Sequence, residues 1–278
     1  MIIRYLGDSE LAQVRRRRWR KVFYVIDDDL MRLDDDRSVP EDYRQRLLAF
    51  RQKRLPDILD LADVIVAPNE RILEGYPSKK GERLDPCYVT VCDDLRHFDD
   101  YQTIRILFPG SRSHLNDLAF LQEGLLRLSA AHTELEIVTY MGANAPVRLK
   151  GMEQIQHRKP LPWAAFQKEQ QRERFHICLM PTVATPFNQA RSINKLFDCA
   201  AVGAVGVFSR GGPTDGVIAD GVDGLLVDHD VMAWEKAVGF LIDDMARAKT
   251  MAQACLDKAG LCGNPVRVRD FWRKQLDI

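Results

Sequence analysis

TPFNQARSINKLFDCAAVGAVGVFSRGGPTDGVIADGVDGLLV, residues 185–227, holds the alternation that decides the fold. An apolar run ending at Met180 and Pro181 precedes it, and its opening loop leads into a helical pattern near Arg191. That pattern stops at glycine, gives way to the apolar run 204–208, and a second glycine-rich turn leads to the apolar run 225–227. Helix, buried strand, turn and buried strand in succession build a parallel sheet covered on both faces. Arg191, Lys195 and Asp198 stand at i, i+4 and i+7, within roughly 60° of one another on a helix. Ile193, Leu196, Phe197, Ala200 and Ala201 around them are apolar. Two cations and a carboxylate on one narrow stripe suit a phosphorylated sugar. The cations and the helix N-terminus neutralise phosphate, and a carboxylate one turn on accepts hydrogen bonds from ribose. Spacing alone leaves an exposed, salt-bridged helix face equally open.

Outward from this block the same alternation continues. Strands are predicted at 2–6, 22–26, 64–67, 104–108, 135–140, 176–180, 204–208 and 225–227, with helical patterns at 41–61, 115–131, 163–173, 191–202, 214–219 and 231–259. The expected class is α/β, and ligands in such folds collect beyond the carboxyl ends of the strands. The polar stretch DDLRHFDDYQT, 93–103, marks a boundary between residues 1–100 and 101–278. The first part is small for a doubly wound domain and starts almost inside a strand, so a shortened N-terminal domain is expected.

Composition excludes several classes. The chain has 278 residues, and its 40 basic and 40 acidic residues cancel, which argues against nucleic acid as a partner. No apolar run reaches the roughly 18–20 residues of a membrane span, and the opening residues carry no secretory pattern. Six scattered cysteines without a CxxC point to reduced thiols and a cytoplasmic place. The histidines have no metal-ligand spacing to any cysteine, and His176 reads as a core residue.

Three further stretches could carry chemistry. In FPGSRSHLNDLAFL, 108–121, a strand meets a Pro-Gly-Ser turn and a helix start carrying Arg112, Ser113 and His114. Glycine there admits an anion to backbone N–H groups and arginine can fork onto phosphate, though Ser113 capping an ordinary turn reads as well. In VFYVIDDDLMRLDDD, 22–36, Asp27–Asp29 crowd the mouth of the sheet, where like charges are costly unless a cation or ligand relieves them. Asp34–Asp36 read as a solvated loop. RRRRWRK, 15–21, reads as an exposed helix end with Trp19 packed inward, or as a site for anionic lipid or nucleic acid.

Together these segments resemble bacterial GT-B glycosyltransferases of the retaining Glu-x7-Glu type, especially those of surface-polysaccharide clusters. PFNQARSINKLFDCAAVGAVGVFS with GGPTDGVIADGVDGLLV is similar to that family's donor-binding motif. FPGSRSHLNDLAFL is similar to its first strand–turn–helix after the interdomain linker, and FYVIDDDL with LADVIVAPNERIL to strands of its N-terminal half. The resemblance implies two Rossmann-like parallel-sheet domains, the N-terminal one truncated, on acceptor and donor sides. It implies transfer from a nucleotide-sugar of UDP, GDP or dTDP type to a glycan or lipid-linked acceptor, with no metal or other cofactor. Arg112, Lys195 and Asp28 fall at catalytic positions; Gly110, Ser111, Asn188, Arg191, Ser192 and Asp198 fall on the donor. A peripheral place at the inner membrane face goes with such acceptors.

Two departures stand out. Ala190 sits where the motif's first acid belongs, and Asp198 is one methylene shorter than the usual glutamate. With the shortened first half, they leave two alternatives: a degenerate nucleotide- or sugar-binding subunit, with a partner completing the N-terminal domain, or a sugar-nucleotide epimerase.

Overall fold

The computed structural model describes residues 1–88 and 92–277. Two parallel sheets organise it. The first contains β1 (Ile2–Ile3), β2 (Phe23–Val25), β3 (Val64–Ala67) and β4 (Lys80–Arg83) in that spatial order. Helices α1 (Asp8–Arg15), α2 (Glu41–Lys53), α3 (Leu55–Leu61) and α4 (Glu70–Leu73) connect its strands. The second sheet contains β5 (Ile104–Phe108), β6 (Leu135–Thr139), β7 (Ile155–His157), β8 (Ile177–Met180), β9 (Val205–Ser209) and β10 (Leu225–Val227), ordered β10-β9-β8-β5-β6-β7. Helices α5 (Leu115–Ala131), α6 (Trp163–Arg172), α7 (Pro186–Gln189), α8 (Asn194–Ala201), α9 (Val231–Asp243), α10 (Met245–Cys262) and α11 (Pro265–Leu276) complete the described chain.

Every pairing between these strands is parallel. Parallel strands lie under helices on both faces, so they read as unbroken apolar runs. Ile106, Ile137, Ile177, Val205 and Val207 are accordingly sealed from solvent. The second sheet reverses direction between β5 and β8: one half grows outward through β6 and β7, the other through β9 and β10. Loops leaving β5 and β8 therefore diverge, and a crevice opens between them at the carboxyl edge of the sheet.

The halves are tied by more than a linker. Phe187 of α7 and Ala190 just after it are fully buried among Tyr24, Leu30, Leu33 and Ile72 of the first domain's core. Asn188 donates to Ser38 Oγ at 2.9 Å and Arg71 to Gln189 Oε1 at 2.7 Å. At the other end of the chain α11 lies on the first sheet, where Phe271 and Trp272 pack on Phe23, Val64 and Val66. Phe23 and Trp272 meet edge-on, ring centres 5.3 Å apart.

Several expectations are corrected. The pattern 41–61 is two helices, because Arg54 leaves helical geometry just before Pro56. The pattern 231–259 likewise breaks at Asp244, which caps α10. Residues 214–219 form turns, with Gly216 at a φ of +83°. The helix expected over 191–202 begins only at Asn194. Trp19 is 49% exposed instead of inward-facing, with its indole N–H on Val14 O. Asp36 is buried and accepts hydrogen bonds from the Ser38 amide and hydroxyl, so it is no solvated loop residue. Asp34 and Asp35 are exposed as expected, and His176 is a hydrogen-bonded core residue. All six cysteines are free.

Candidate functional site

The crevice between β5 and β8 faces the carboxyl edge of the first sheet across the domain boundary. A cavity of about 230 Å³ fills this space, lined by Arg191, Lys195, Asp198 and Thr182 from one side and Arg4, Asp27 and Asp28 from the other. A neighbouring cavity of about 270 Å³ runs under the β5 turn and shares His114, Trp163, Lys195 and Asp198 with it. Its far wall is aromatic: Tyr140, Trp163 and Phe166, with Tyr140 edge-on to Phe166 at 5.1 Å.

Lys195 is the singular charge here. It emerges from the first turn of α8, is partly buried, and among the described residues makes no hydrogen bond or ion pair. Burial pulls its pKa below the usual lysine value, while Asp198 and Asp117 act against that pull. Holding a partly buried cation without a direct ion pair costs free energy in a folded protein. The arrangement is poised for an anion. Asp198, one turn on, accepts a single hydrogen bond among the described residues, from Gln170 at 3.2 Å, and burial raises its pKa. Arg191 lies before α8 instead of on it, so the three do not form one helical stripe, yet its guanidinium still turns into the cavity. It stands over the Phe187 ring at 5.5 Å and reaches Asp28 at 3.8 Å.

The aspartates after β2 separate into different jobs. Asp29 is fully buried, caps the next turn through the Met31 amide, and pairs with Arg32 at 2.5 Å. Asp28 is buried facing the cleft, paired with Arg4 at 2.9 Å and hydrogen-bonded by the Tyr5 hydroxyl. Burial alone would raise its pKa, but Arg191, Arg4 and the Tyr5 hydroxyl outweigh it and hold Asp28 ionised. Asp27 moves the other way, raised by burial and by the Asp28 charge, although Arg4 is 2.7 Å from it. The surroundings of Asp27 and Asp28 thus push the two carboxyls in opposite directions. Arg4 holds both from a left-handed backbone, φ +54°, an unusual cost for a non-glycine residue.

Other expected residues sit elsewhere. Gly110 lines the second cavity, and a Cβ there would come within 2.5 Å of the Phe108 ring and 2.7 Å of His114 Cβ, so only glycine fits. Ser111 lines the same cavity, and Ser192 the first. Arg112 does not join the other cations. It is 60% exposed and pairs with Asp42 of the first domain at 2.7 Å, beside a separate cavity. Asn188 lines neither cavity of the cleft, because its amide is engaged by Ser38 and by Val183 O at 3.0 Å. Sequence reading missed Arg4, Tyr5 and Trp163, and left His114 without a role. Only His114 left a trace, three residues before Asp117 at a helix start, and His114 Nδ1 lies 2.9 Å from Asp117 Oδ2.

No family model matches the sequence, nor does any curated protein. Solved structures do match. Sucrose-phosphate synthase from Thermosynechococcus elongatus superposes with a TM-score of 0.64 at 13% identity, covering 96% of this chain and 70% of that one. The fold is that of the GT-B glycosyltransferases. Anabaena HepE, solved in complex with UDP and glucose, gives 0.61 at 13% identity over 93% of this chain and 72% of its own. The pneumococcal O-GlcNAc transferase GtfA, solved with UDP and GlcNAc, gives 0.61 at 11% identity over 92% and 52%. Two parallel-sheet domains facing one another across a cleft are thus a shared GT-B arrangement. Among the described residues no helix is long and apolar enough to cross a membrane, and no group of three or more His, Cys, Asp or Glu is placed to hold a metal ion.

Proposed function

We propose that this GT-B protein is a glycosyltransferase that moves a sugar from a nucleotide donor of UDP, GDP or dTDP type to a glycan or lipid-linked acceptor. The observation that carries this reading is Lys195: a partly buried, unpaired cation at the topological switch point, with Arg191 and Asp198 beside it. The donor diphosphate lies on Lys195 and Arg191, the ribose on Asp198, and the base on the aromatic wall of Tyr140, Trp163 and Phe166. Charge accumulating on the departing diphosphate is stabilised by fixed cations, and the protein spends its effort on positioning. No metal enters this scheme.

The acceptor side supports a hydroxyl carried on an apolar body. A third cavity of about 280 Å³ opens from the cleft over the carboxyl ends of all four first-sheet strands. Val25, Val66, Leu84, Pro86 and Val268 line it, and it shares Arg4, Asp27, Ser192 and Asn194 with the polar cleft. A lipid-linked acceptor would rest its apolar part there and present its hydroxyl at Asp27 and Asp28. Work at the inner membrane face follows from that acceptor class.

A second reading has its own observation. Ala190, at the position of the missing acid, is fully enclosed in the first domain's core, so no side chain there reaches the donor sugar. A subunit that binds nucleotide-sugar without transferring it would be built this way. Donor turnover measured across UDP-, GDP- and dTDP-sugars, with alkyl glycosides as acceptors, tests between them. Turnover lost in Lys195→Ala supports the transferase; nucleotide binding without turnover of any donor supports the subunit.

A further inference from the structure

The β5 turn was expected to offer arginine to the donor, but Arg112 is held by Asp42 and its neighbour His114 reaches the cleft instead. His114 lines both cavities of the cleft, with 14% of its side chain exposed. Its Nδ1 is fixed on Asp117 Oδ2 at 2.9 Å, while Nε2 makes no hydrogen bond among the described residues. Asp117 is 6% exposed, and its other oxygen is buried without a hydrogen-bond partner. An ionised carboxylate with one oxygen sealed off is expensive, so the pair favours a proton between its two members.

Resting on the nucleotide-sugar reading above, we propose that His114 and Asp117 form a proton-carrying contact to the donor diphosphate. The pair takes one proton from solvent when the nucleotide binds, and His114 Nε2–H then donates a hydrogen bond to the phosphate. No covalent bond changes. Whichever member holds the shared proton, a doubly protonated pair presents an N–H to the cleft, and a singly protonated pair can present a bare lone pair, which an anion repels. Asp117 works as the positioning partner, and His114 as the residue that touches the ligand.

The charges around the pair agree with this assignment. Lys195 and Arg191 oppose protonation of His114, and burial opposes it most. Burial, helped by Asp36, lifts the Asp117 carboxyl to about 7 against the pull of Lys195, Arg191 and the nearby Val183 amide. Across the cavity, Asp27, Asp28 and Asp198 are the other titratable groups, and because substitutions at His114 and Asp117 leave them in place, their own proton changes cancel in the comparison. A diphosphate arriving at Lys195 and Arg191 cancels the two cations that oppose protonation. Uptake on binding is therefore expected above neutral pH and absent where the pair is already doubly protonated.

Calorimetric titration with UDP, GDP and dTDP, run at pH 6 and pH 8 in buffers of different ionisation enthalpy, reads this directly. The nucleotide that binds should take up about one proton more at pH 8 in the wild type than in the double variant His114→Gln/Asp117→Asn. In that variant neither member of the pair titrates while an N–H donor is kept at position 114, so its binding should be nearly independent of pH once the nucleotide's own titration is counted. Equal proton uptake in the wild type and the double variant would overturn the proposal and leave the donor site standing. Failure of all three nucleotides to bind would overturn the donor-site reading and this inference with it.

Discussion

At the scale of single residues, burial decides what each charge can do. Lys195 and Arg112 were equal candidates as cations in a line of text. One is partly buried without a counterion, and the other sits at the surface on Asp42. Exposed ion pairs of the second kind contribute little, typically below about 1 kcal/mol. Arg112→Ala should therefore leave nucleotide affinity within about threefold of wild type in the same titration that measures Lys195→Ala. A large loss in Arg112→Ala would return that residue to the donor. Asp117 gives a residue-level statement about pH. Its folded pKa of about 7 lies above the ordinary 3.8, so between those values the folded state binds more protons than the unfolded one. Stability from this group is thus lost as pH rises from about 4 to about 7, by up to roughly 4 kcal/mol. Denaturant melts should show Asp117→Asn gaining on the wild type over that window. A constant difference between the two would contradict the assignment.

At the scale of elements, the short helix α7 with the turn after it does work that its four residues conceal. Thr185 caps it, Pro186 starts it, and Phe187 then enters the other domain's core. Phe187→Ala removes a fully buried ring and should cost on the order of 3–5 kcal/mol, read as a lower denaturation midpoint. Ala190→Glu restores the acid of the resembled motif in name only. Its carboxylate would enter an apolar core, and a comparable loss of stability without gain in donor turnover is expected. Increased turnover from a stable Ala190→Glu protein would show that this wall opens during the reaction. Local pattern made much of the architecture legible: the long apolar runs of β3, β5, β6, β8 and β9 were read near their true bounds. Lys80–Arg83 was not legible as β4, because an edge strand of charged residues has no apolar period to show. Nor was the place of α11, since nothing local says that Trp272 will cross back onto Phe23. The site follows the same rule. Lys195, Asp198 and Asp28 were legible from their own segments, whereas Arg4 and Trp163 matter only through neighbours distant in sequence.

At the scale of the whole molecule, balanced charge coexists with a cleft that gathers Lys195 and Arg191 on one wall and the Arg4-held carboxylates of Asp27 and Asp28 on the other. Lys195 and Arg191 stand with the second sheet, Asp27 and Asp28 with the first, and the Arg191–Asp28 contact at 3.8 Å bridges them. Under the proposed function, this polarity would orient a nucleotide-sugar with its diphosphate toward the second domain and its reacting sugar toward the first. It rests on Lys195 more than on any other side chain. Calorimetric titration of UDP, GDP and dTDP against wild type and Lys195→Ala measures that dependence. Binding of one nucleotide, weakened about thirtyfold or more in Lys195→Ala, is the predicted result, since truncating one partner of a desolvated charge pair to the ligand costs about 2 kcal/mol or more. A nucleotide that binds Lys195→Ala as tightly as wild type would contradict it.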